Sequence, residues 1–239
     1  MNAVPDAPRF EEIWPRASGV PGWLKHGQAS LLWDEAVRLP AAATVVEIGS
    51  HQGRSTVVLG NALKPTGGTL VAIDPFVEGR LFGGTPTRSK FEKNVSEAGL
   101  DEVVELVADY STALRPGWTR EFDMLYIDGK HDYWTVRDDL LWRTHLTAGG
   151  AVVIHDCFSS IGVTLAILRH VLFADDLAYE RRSDSQALFR KRRPTARDRW
   201  RIVAELPWWI RNVGLKVLLR LRLRPVARML GHDSPYDPY

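Results

Sequence analysis

Five short runs of β-forming residues alternate with stretches of helical pattern, and this alternation most constrains the fold. Strands that alternate with helices pair in parallel, because each helix carries the chain back across the sheet. Several of these runs are apolar at consecutive positions, which indicates burial on both faces. We therefore predict an α/β fold, a Rossmann-like doubly wound sheet, whose first five strands lie at Thr44–Ile48, Thr69–Ile73, 103–108, 124–127 and 151–154.

The flanking segments complete the predicted architecture. Apolar residues recur at helical spacing over 23–39, which predicts a lead-in helix, whereas residues 1–22 carry four prolines and are predicted to be an irregular arm. After a predicted helix at 161–172, the runs 178–182 and 186–190 are close enough to form a terminal antiparallel hairpin. The predicted sheet therefore has seven strands.

Length and composition predict one main domain with two extensions. With 239 residues, of which 45% are apolar and 25% charged, the chain can bury one sizeable core. Residues 79–90 are rich in Gly, Thr and Arg and are predicted to form a lid before a helix at 91–98. The predicted divisions are 1–40 for the arm and lead-in helix, 41–193 for the α/β domain, and 194–239 for a basic C-terminal extension.

Signals for export are not found. The chain lacks a charged and then apolar leader, and no uninterrupted apolar run approaches the roughly 18 residues that a membrane helix needs. The single cysteine, Cys157, cannot form an internal disulfide, which fits a reducing compartment. We expect a cytoplasmic location.

The basic residues are concentrated in the C-terminal extension. Residues 190–230 contain thirteen Lys and Arg but two carboxylates, a local balance of +11, so the rest of the +2 chain sums to −9. The basic charge therefore predicts a binding partner for the C-terminal extension only. It does not argue against a small-molecule substrate for the main domain. We weigh packing on the acidic remainder of its own or a sister subunit first, contact with an anionic membrane second, and nucleic acid last. The expected assembly is a homodimer without a nucleic-acid partner.

Acidic side chains stand at or near the end of each of the first five predicted strands. Ligands of open α/β sheets bind beyond the carboxyl ends of the strands, so these residues are candidates for function. They are Glu47, Asp74, Asp109, Asp128 and Asp156.

The loop after the first strand has the character of a ligand-binding turn. Gly49 and Gly53 permit a tight turn that brings backbone close to a ligand, and a helix predicted to begin near Ser55 supplies free amides. The loop lacks the G-x-G-x-x-G spacing of dinucleotide sites, which argues against a pyrophosphate cradle.

This loop resembles the E-x-G-x-x-x-G loop of class I S-adenosylmethionine-dependent methyltransferases. In that resemblance the loop wraps the amino acid half of the cofactor, and the carboxylate of the second strand accepts hydrogen bonds from the ribose hydroxyls. The cofactor contacts that the resemblance implies are Glu47, Gly49, Ser50, Gly53 and Ser55 in the loop, Asp74 at the ribose, Asp109 and Ser111 near the adenine, and Asp128.

The ends of the fourth and fifth strands carry a second motif. They read I-D-G-K-H-D-Y at 127–133 and I-H-D at 154–156, which resembles the I-D-G-x-H-x-Y family of O-methyltransferases, whose relatives act on sugars and antibiotics. The resemblance covers residues 22–156. It implies S-adenosylmethionine as cofactor and a small-molecule acceptor, for which we predict a hydroxyl of a sugar or small glycoside.

Metal-dependent relatives bind magnesium with the residues at these two strand ends. Carried over, the metal ligands are Asp128, His155 and Asp156. A bound cation is useful because an alcohol is a weak nucleophile, and coordination lowers the pKa of its oxygen. His155 departs from the oxygen ligands that magnesium prefers, so manganese, iron, cobalt or zinc are alternatives to magnesium.

Three residues are candidates for the proton acceptor. His131 is the first choice, because the unperturbed imidazole titrates near neutral pH, and Lys130 and His155 are the reserves. Aromatic residues predicted for the acceptor pocket are Trp23, Phe82, Tyr133 and Trp134.

The prediction is thus an S-adenosylmethionine-dependent O-methyltransferase assisted by a divalent cation. One alternative is a metal-independent O-methyltransferase of a phenol or carboxylate secondary metabolite. An alternative from another class is a non-catalytic binding protein that acts through its basic extension.

Overall fold

A seven-stranded sheet forms the centre of the structure, a computed structural model that describes residues 8–79 and 83–232. Its strands are β1 (Thr44–Ile48), β2 (Thr69–Ile73), β3 (Val104–Val107), β4 (Phe122–Ile127), β5 (Leu146–Ile154), β6 (Leu177–Ser183) and β7 (Gln186–Lys191). The strand order is β3-β2-β1-β4-β5-β7-β6. Strands β1 to β5 pair in parallel, and β7 pairs antiparallel with both β5 and β6. The predicted Rossmann-like sheet with a terminal hairpin is confirmed.

Helices cover both faces of the sheet and form the two ends of the described chain. They are α1 (Phe10–Gly19), α2 (His26–Ala36), α3 (Arg54–Leu63), α4 (Thr85–Glu97), α5 (Ser111–Leu114), α6 (Tyr133–Asp139), α7 (Ile161–His170), α8 (Ala196–Ala204), α9 (Leu206–Arg220) and α10 (Arg224–Met229). Within the part of the chain that the structure describes, none of them combines the length and apolarity needed to cross a bilayer.

The core consists of two apolar layers, one on each face of the sheet. Successive residues of β1 point to opposite layers: Val45 packs with α2 and α3, and Val46 packs with α6 and α7. Both side chains are fully buried, as are most of those in β2 and β4. Burial on both faces explains why these runs are apolar at consecutive positions.

The predicted irregular arm at 1–22 is wrong for residues 10–19, which form α1. Pro15 lies inside this helix and removes one backbone hydrogen bond. The helix forms nevertheless because Phe10, Ile13, Trp14 and Ala17 fall on one face and pack on the core. The packing of this apolar face outweighs the helix-breaking effect of the proline.

Arg54, the first residue of α3, holds the end of α1 and the loop that follows it. Its guanidinium donates hydrogen bonds to the carbonyl oxygens of Val20 at 2.6 Å, Leu24 at 3.0 Å and Ser18 at 3.1 Å. A donor with five N–H groups in a fixed fork suits this task. The segment from Ser18 to Leu24 is therefore held against the start of α3.

The predicted lid at 79–90 is also corrected in part. Helix α4 begins at Thr85, six residues before the predicted start, with Pro86 in its first turn, where proline is favourable. Residues 80–82, including the predicted pocket residue Phe82, lie outside the described residues.

Strand β1 marks the point where the chain switches sides of the sheet. Helix α3, which follows β1, packs in one apolar layer, whereas α6, which follows the neighbouring β4, packs in the other. The segments that leave these two adjacent strands diverge, which opens a crevice at their carboxyl ends.

We predict that Gly49→Ala destabilises the fold far more than Gly67→Ala. Both glycines have positive φ, +90° and +68°, and an alanine there costs about 1 kcal/mol. At Gly49 a Cβ would also stand 2.3 Å from the Asp128 carbonyl oxygen, whereas at Gly67 it would meet nothing within 4 Å. We expect a loss of about 3 kcal/mol or more for Gly49→Ala in urea unfolding. Equal losses for the two variants would contradict the close approach.

Candidate active site

A pocket of about 680 Å³ opens at the switch point between β1 and β4. This volume is in the range of small-molecule and cofactor sites. Much of the lining comes from the carboxyl ends of β1, β2 and β4 and from the segments after them. The segment after β3 and the loop before α2 complete it. Six of the predicted site residues line it: Gly49, Asp74, Ser111, Asp128, Lys130 and His131.

Asp74 is held in a fixed orientation at the end of β2. Its Oδ2 accepts the backbone N–H of His51 at 2.9 Å, and its Oδ1 accepts the N–H of Phe76 at 2.8 Å. Each carboxylate oxygen can accept a second hydrogen bond. Asp74 therefore presents preoriented acceptors to a ligand in the pocket.

Gly49 allows the loop after β1 to pass directly against the end of β4. The absence of a side chain leaves room for the Asp128 carbonyl oxygen and for the backbone nitrogen of Gly129. Both strand ends consequently face the same pocket.

The other predicted loop residues support the loop from below and do not contribute to the pocket wall that the described residues form. Glu47, Ser50 and Ser55 are buried, and Gly53 caps the start of α3 with a left-handed φ of +91°. The Glu47 carboxylate accepts a hydrogen bond from the Thr56 hydroxyl at 2.6 Å. Burial raises the pKa of Glu47 to about 7, although hydroxyl hydrogen bonds oppose this shift.

On the opposite wall, Tyr110, Ser111 and Thr112 line the pocket, whereas the predicted Asp109 does not. The Asp109 carboxylate accepts the N–H of Tyr110 at 2.7 Å and so shapes this turn. The Ser111 hydroxyl donates to Asp139 Oδ1 at 2.5 Å.

Asp139 is a pocket residue that sequence reasoning missed. It is fully buried in α6, and burial raises the pKa of its carboxyl to about 7. Its position three residues after the buried Val136 and next to the buried Leu140 was the available signal, because a carboxylate on the inner face of a helix needs a partner.

The ends of β4 and β5 bring two carboxylates and two imidazoles together. His131 lies between the carboxylates, with Nε2 at 3.3 Å from Asp128 Oδ1 and Nδ1 at 2.9 Å from Asp156 Oδ2. His155 Nδ1 is 3.2 Å from Asp128 Oδ1 and 3.3 Å from Asp156 Oδ1. Asp128 also accepts the Tyr126 hydroxyl at 3.0 Å. We call Asp128, His131, His155 and Asp156 the strand-end cluster.

In the strand-end cluster, the carboxylates and the imidazoles shift one another's pKa values. Burial alone would lower the pKa of His131, but hydrogen bonds to Asp128 and Asp156 outweigh it and raise that pKa to about 10. Burial would raise the pKa of Asp156, but both histidines hold it well below its usual range. The cluster thus attracts positive charge, either as protons on the imidazoles or as a cation.

The geometry groups the possible metal ligands differently from the prediction. Among the described residues, Asp128, His131 and His155 offer donor atoms that all lie within 4.8 Å of one another. Asp156, predicted as a ligand, stands behind them, 2.9 Å from His131 Nδ1 and 3.3 Å from His155 Nδ1, and accepts the Ser185 hydroxyl at 3.2 Å. Asp156 adopts a left-handed φ of +56°, a conformation that is costly for a non-glycine residue and often marks a functional site.

Asp156 is connected to distant parts of the chain. Ser185, in the turn of the β6–β7 hairpin, accepts a hydrogen bond from the Gln28 side chain of α2 at 3.1 Å, and both residues are buried. No sequence signal links these residues to Asp156, because 157 positions separate Gln28 from Ser185.

The remaining predicted residues are divided between the pocket and the surface. Lys130 lines the pocket and forms an ion pair with Asp132 at 2.9 Å. Trp23 also lines the pocket and is 58% exposed, with its ring centroid 5.4 Å from that of His51. Tyr133 and Trp134 do not line it: the Tyr133 hydroxyl lies 2.9 Å from His170 Nε2, and Trp134 faces solvent.

Comparison with known proteins shows that the residues of this site are similar to a known domain. Residues 46–157, which run from β1 to just beyond the strand-end cluster, match the family model described as a methyltransferase domain. The chain carries a methyltransferase domain. The matched residues contain Gly49, Asp74 and the whole strand-end cluster.

Solved structures share the fold of this methyltransferase domain. Cofactor-bound Rv0187 from MTB is 19% identical with a TM-score of 0.61, covering 80% of this chain and 93% of that one. An O-methyltransferase from Bacillus cereus in complex with SAH is 16% identical with a TM-score of 0.58, covering 79% and 94%. The O-methyltransferase TomG from Streptomyces achromogenes, involved in tomaymycin synthesis and in complex with SAM, is 19% identical with a TM-score of 0.54, covering 80% and 88%.

Glu47 should make the stability of the methyltransferase domain depend on pH. Its pKa is about 7 when folded and near the ordinary 4.5 when unfolded, so the folded state binds the proton more tightly. This contribution is complete below pH 4.5 and is lost as the pH rises through 7. Relative to Glu47→Gln, the wild-type free energy of unfolding should fall by about 3 kcal/mol over that range.

Urea unfolding of both proteins at several pH values measures this difference, and Glu102→Gln, at an exposed position, serves as the control. Parallel pH profiles for wild type and Glu47→Gln would show that the Glu47 pKa is the same in the folded and unfolded states.

Proposed function

We propose that this chain transfers the methyl group of S-adenosylmethionine to a hydroxyl of a sugar or small glycoside. The observation that carries the proposal is that Gly49, Asp74 and Ser111 line the same pocket as Asp128 and His131. The methyltransferase domain supports the reaction type. The fold it shares with structures solved in complex with SAM or SAH supports the cofactor.

The pocket residues fit the two halves of this cofactor. S-adenosylmethionine, when bound, supplies a methyl group on a sulfonium that is already electrophilic, so the protein mainly aligns the reactants. We assign the ribose hydroxyls to the fixed Asp74 carboxylate and the adenine to the wall of Tyr110, Ser111 and Thr112. The side chain missing at Gly49 leaves space for the amino acid half.

A carbohydrate acceptor is supported by the polar and aromatic groups on the remaining wall. Trp23 presents a largely exposed ring at the pocket, while Asp128, Lys130 and His131 offer charged groups beside it. An aromatic face with polar groups around it suits a sugar ring, which has apolar faces and hydroxyl edges. A likeness of residues 128–164 to the mycobacterial methylmannose polysaccharide 1-O-methyltransferase favours the 1-hydroxyl of a methylated mannoside.

The strand-end cluster fits a divalent cation. Three donor atoms lie close together, and neither ring nitrogen of the buried His155 has a hydrogen-bond partner among the described residues. Two imidazoles and one carboxylate favour manganese, iron, cobalt or zinc over magnesium. Asp156 would orient the histidine ligands, as carboxylates behind metal-bound imidazoles commonly do. The cation, when bound, would lower the pKa of an acceptor hydroxyl that it contacts.

The electrostatics of His131 favour cation-assisted transfer. As a proton acceptor His131 must be neutral, yet between two carboxylates its pKa is raised to about 10. Without a cation the imidazole is therefore protonated at neutral pH and has no lone pair free to accept a proton. With a cation in the cluster, we assign His131 to binding it.

We predict that Asp74→Ala weakens cofactor binding while Asp101→Ala does not. Asp74 faces the pocket, whereas Asp101 is exposed and lies outside its lining. Loss of hydrogen bonds to a carboxylate should lower the affinity for S-adenosylhomocysteine at least about tenfold. Isothermal titration calorimetry measures the affinities. Unchanged binding to Asp74→Ala would remove the proposed ribose contact, and no binding to wild type would remove the proposed function.

Chelation should abolish methyl transfer. The protein is incubated with methyl-labelled cofactor and a panel of sugars, phenols and carboxylic acids, with EDTA and then with each divalent cation restored. We expect a loss of at least about a hundredfold in turnover on a sugar, because Lewis-acid assistance contributes several kcal/mol. Asp128→Asn should lose both turnover and bound metal, with Asp101→Asn, at an exposed position, as the matched control. Undiminished turnover in EDTA, above all on a phenol or carboxylate, would favour the metal-independent alternative.

A further inference from the structure

Residues 206–232 form a surface with cations and apolar side chains but no carboxylate. Six Lys and Arg occur in this stretch of helices α9 and α10. We call its exposed side chains the tail surface.

The inner face of α9 is fixed on the domain, which determines what α9 presents to solvent. Leu215 is buried, and the Asn212 side chain donates to the Phe158 carbonyl oxygen at 3.2 Å. The outer face then carries Ile210, Val217 and Leu221, at spacings of seven and four residues, and all three are more than half exposed. Residues at these spacings form one stripe along a helix. The tail surface thus contains an apolar stripe without a partner among the described residues.

Helix α10 extends the stripe. Arg211 of α9 donates to the Leu230 carbonyl oxygen at 2.7 Å and so joins the two helices. Val226 and Leu230 are exposed, and Met229 is 87% exposed. Large apolar side chains grouped in this way mark an interaction site.

The arginines around the stripe differ from those earlier in the C-terminal extension. At the start of the extension, Asp198 pairs with Arg192 at 2.8 Å and Arg199 pairs with Asp175 at 3.1 Å, and these ion pairs hold α8 against the preceding domain. By contrast, Arg220, Arg222, Arg224 and Arg228 form no ion pair with any carboxylate of the described residues. Their charges are available to an external anion.

We propose that the tail surface binds the anionic face of a lipid bilayer and lies in the headgroup region. Apolar side chains in this surface would enter the boundary of the acyl chains, while arginines beside them reach the phosphates on long stems. Nucleic acid would pair with the positive charges of the arginines. It would, however, place the apolar side chains of Leu221 and Met229 against charged phosphates, which is unfavourable. A second copy of the chain could supply acidic residues to pair with the arginines. A bilayer offers anionic headgroups and, directly beneath them, an apolar region for the exposed apolar side chains.

Docking by this surface would orient the pocket. Phe158, to which α9 is bonded, follows Asp156 by two residues. The edge of the sheet that carries the strand-end cluster would therefore lie close to the bilayer. An acceptor glycoside carried on a lipid would reach the pocket without leaving the membrane.

The test measures sedimentation of the full chain with vesicles of phosphatidylcholine, alone or mixed with phosphatidylserine. We expect binding to the mixed vesicles only. Joint Arg220→Glu, Arg222→Glu and Arg224→Glu should weaken it at least about a hundredfold. Joint Arg16→Glu, Lys93→Glu and Arg120→Glu, on exposed sites elsewhere, changes the net charge equally and should weaken it less than about threefold.

Gly214 gives a second test that does not disturb packing. It lies in the stripe between Ile210 and Val217, and a side chain there would meet nothing within 4 Å. Gly214→Leu should strengthen vesicle binding, and Gly214→Glu should weaken it.

Four results would overturn the proposal. They are no binding to the mixed vesicles, an equal loss in the control triple variant, no gain from Gly214→Leu, or a dimer in sedimentation velocity that Gly214→Glu dissociates while vesicles bind neither protein. The last result would assign the tail surface to a second copy of the chain.

Discussion

The candidate active site depends on the parallel ladder of hydrogen bonds continuing one residue beyond the strands. The N–H of Gly49 donates to Ile73 at 2.8 Å, that of Asp128 to Ile48 at 2.8 Å, and that of His155 to Ile127 at 2.9 Å. Each of these three residues is thereby fixed by a backbone contact to the neighbouring strand. The relative positions of the loop, the carboxylate and the imidazole follow from strand register and do not depend on flexible loops.

In the strand-end cluster, the negative charge of two carboxylates is balanced by two imidazoles. Two buried or half-buried carboxylates would repel one another, and the cost of removing them from water would be high without positive partners. Two imidazoles meet this need either by taking up protons or by binding a cation. Hydroxyl groups of Tyr126 and Ser185 complete the acceptor positions of Asp128 and Asp156. The site is thus built to hold positive charge next to the place where an acceptor oxygen would react.

Much of this arrangement could be predicted from the sequence, because it is encoded locally. Strands β1 and β2 were predicted with their observed bounds, since apolar runs bounded by turn residues define buried parallel strands. Asp128 and Asp74 were predicted as site residues from their place at strand ends. Local patterns could not reveal that Glu47 and Asp109 turn away from the pocket, since side-chain direction at a loop depends on packing.

What escaped prediction depends on contacts distant in sequence. Helix α1 is stabilised through Arg54, 34 to 36 residues away, and Asp156 through a hydroxyl that Gln28 holds in place. Asp139 was overlooked because a carboxylate in a helix usually indicates a solvated face. His131 was predicted for its chemistry, but its two carboxylate neighbours change its protonation.

The place of β7 in the sheet has a consequence for the growing polypeptide. β7 pairs between β5 and β6, although it follows both of them along the chain. Until residue 191 has left the ribosome, the outer edge of β5 has no strand to pair with, and the hairpin turn that delivers Ser185 to Asp156 cannot close. An open, apolar β edge is a site for misassembly. Nascent chains of this protein should therefore need protection, for instance by a chaperone, during the interval between synthesis of β5 and synthesis of β7.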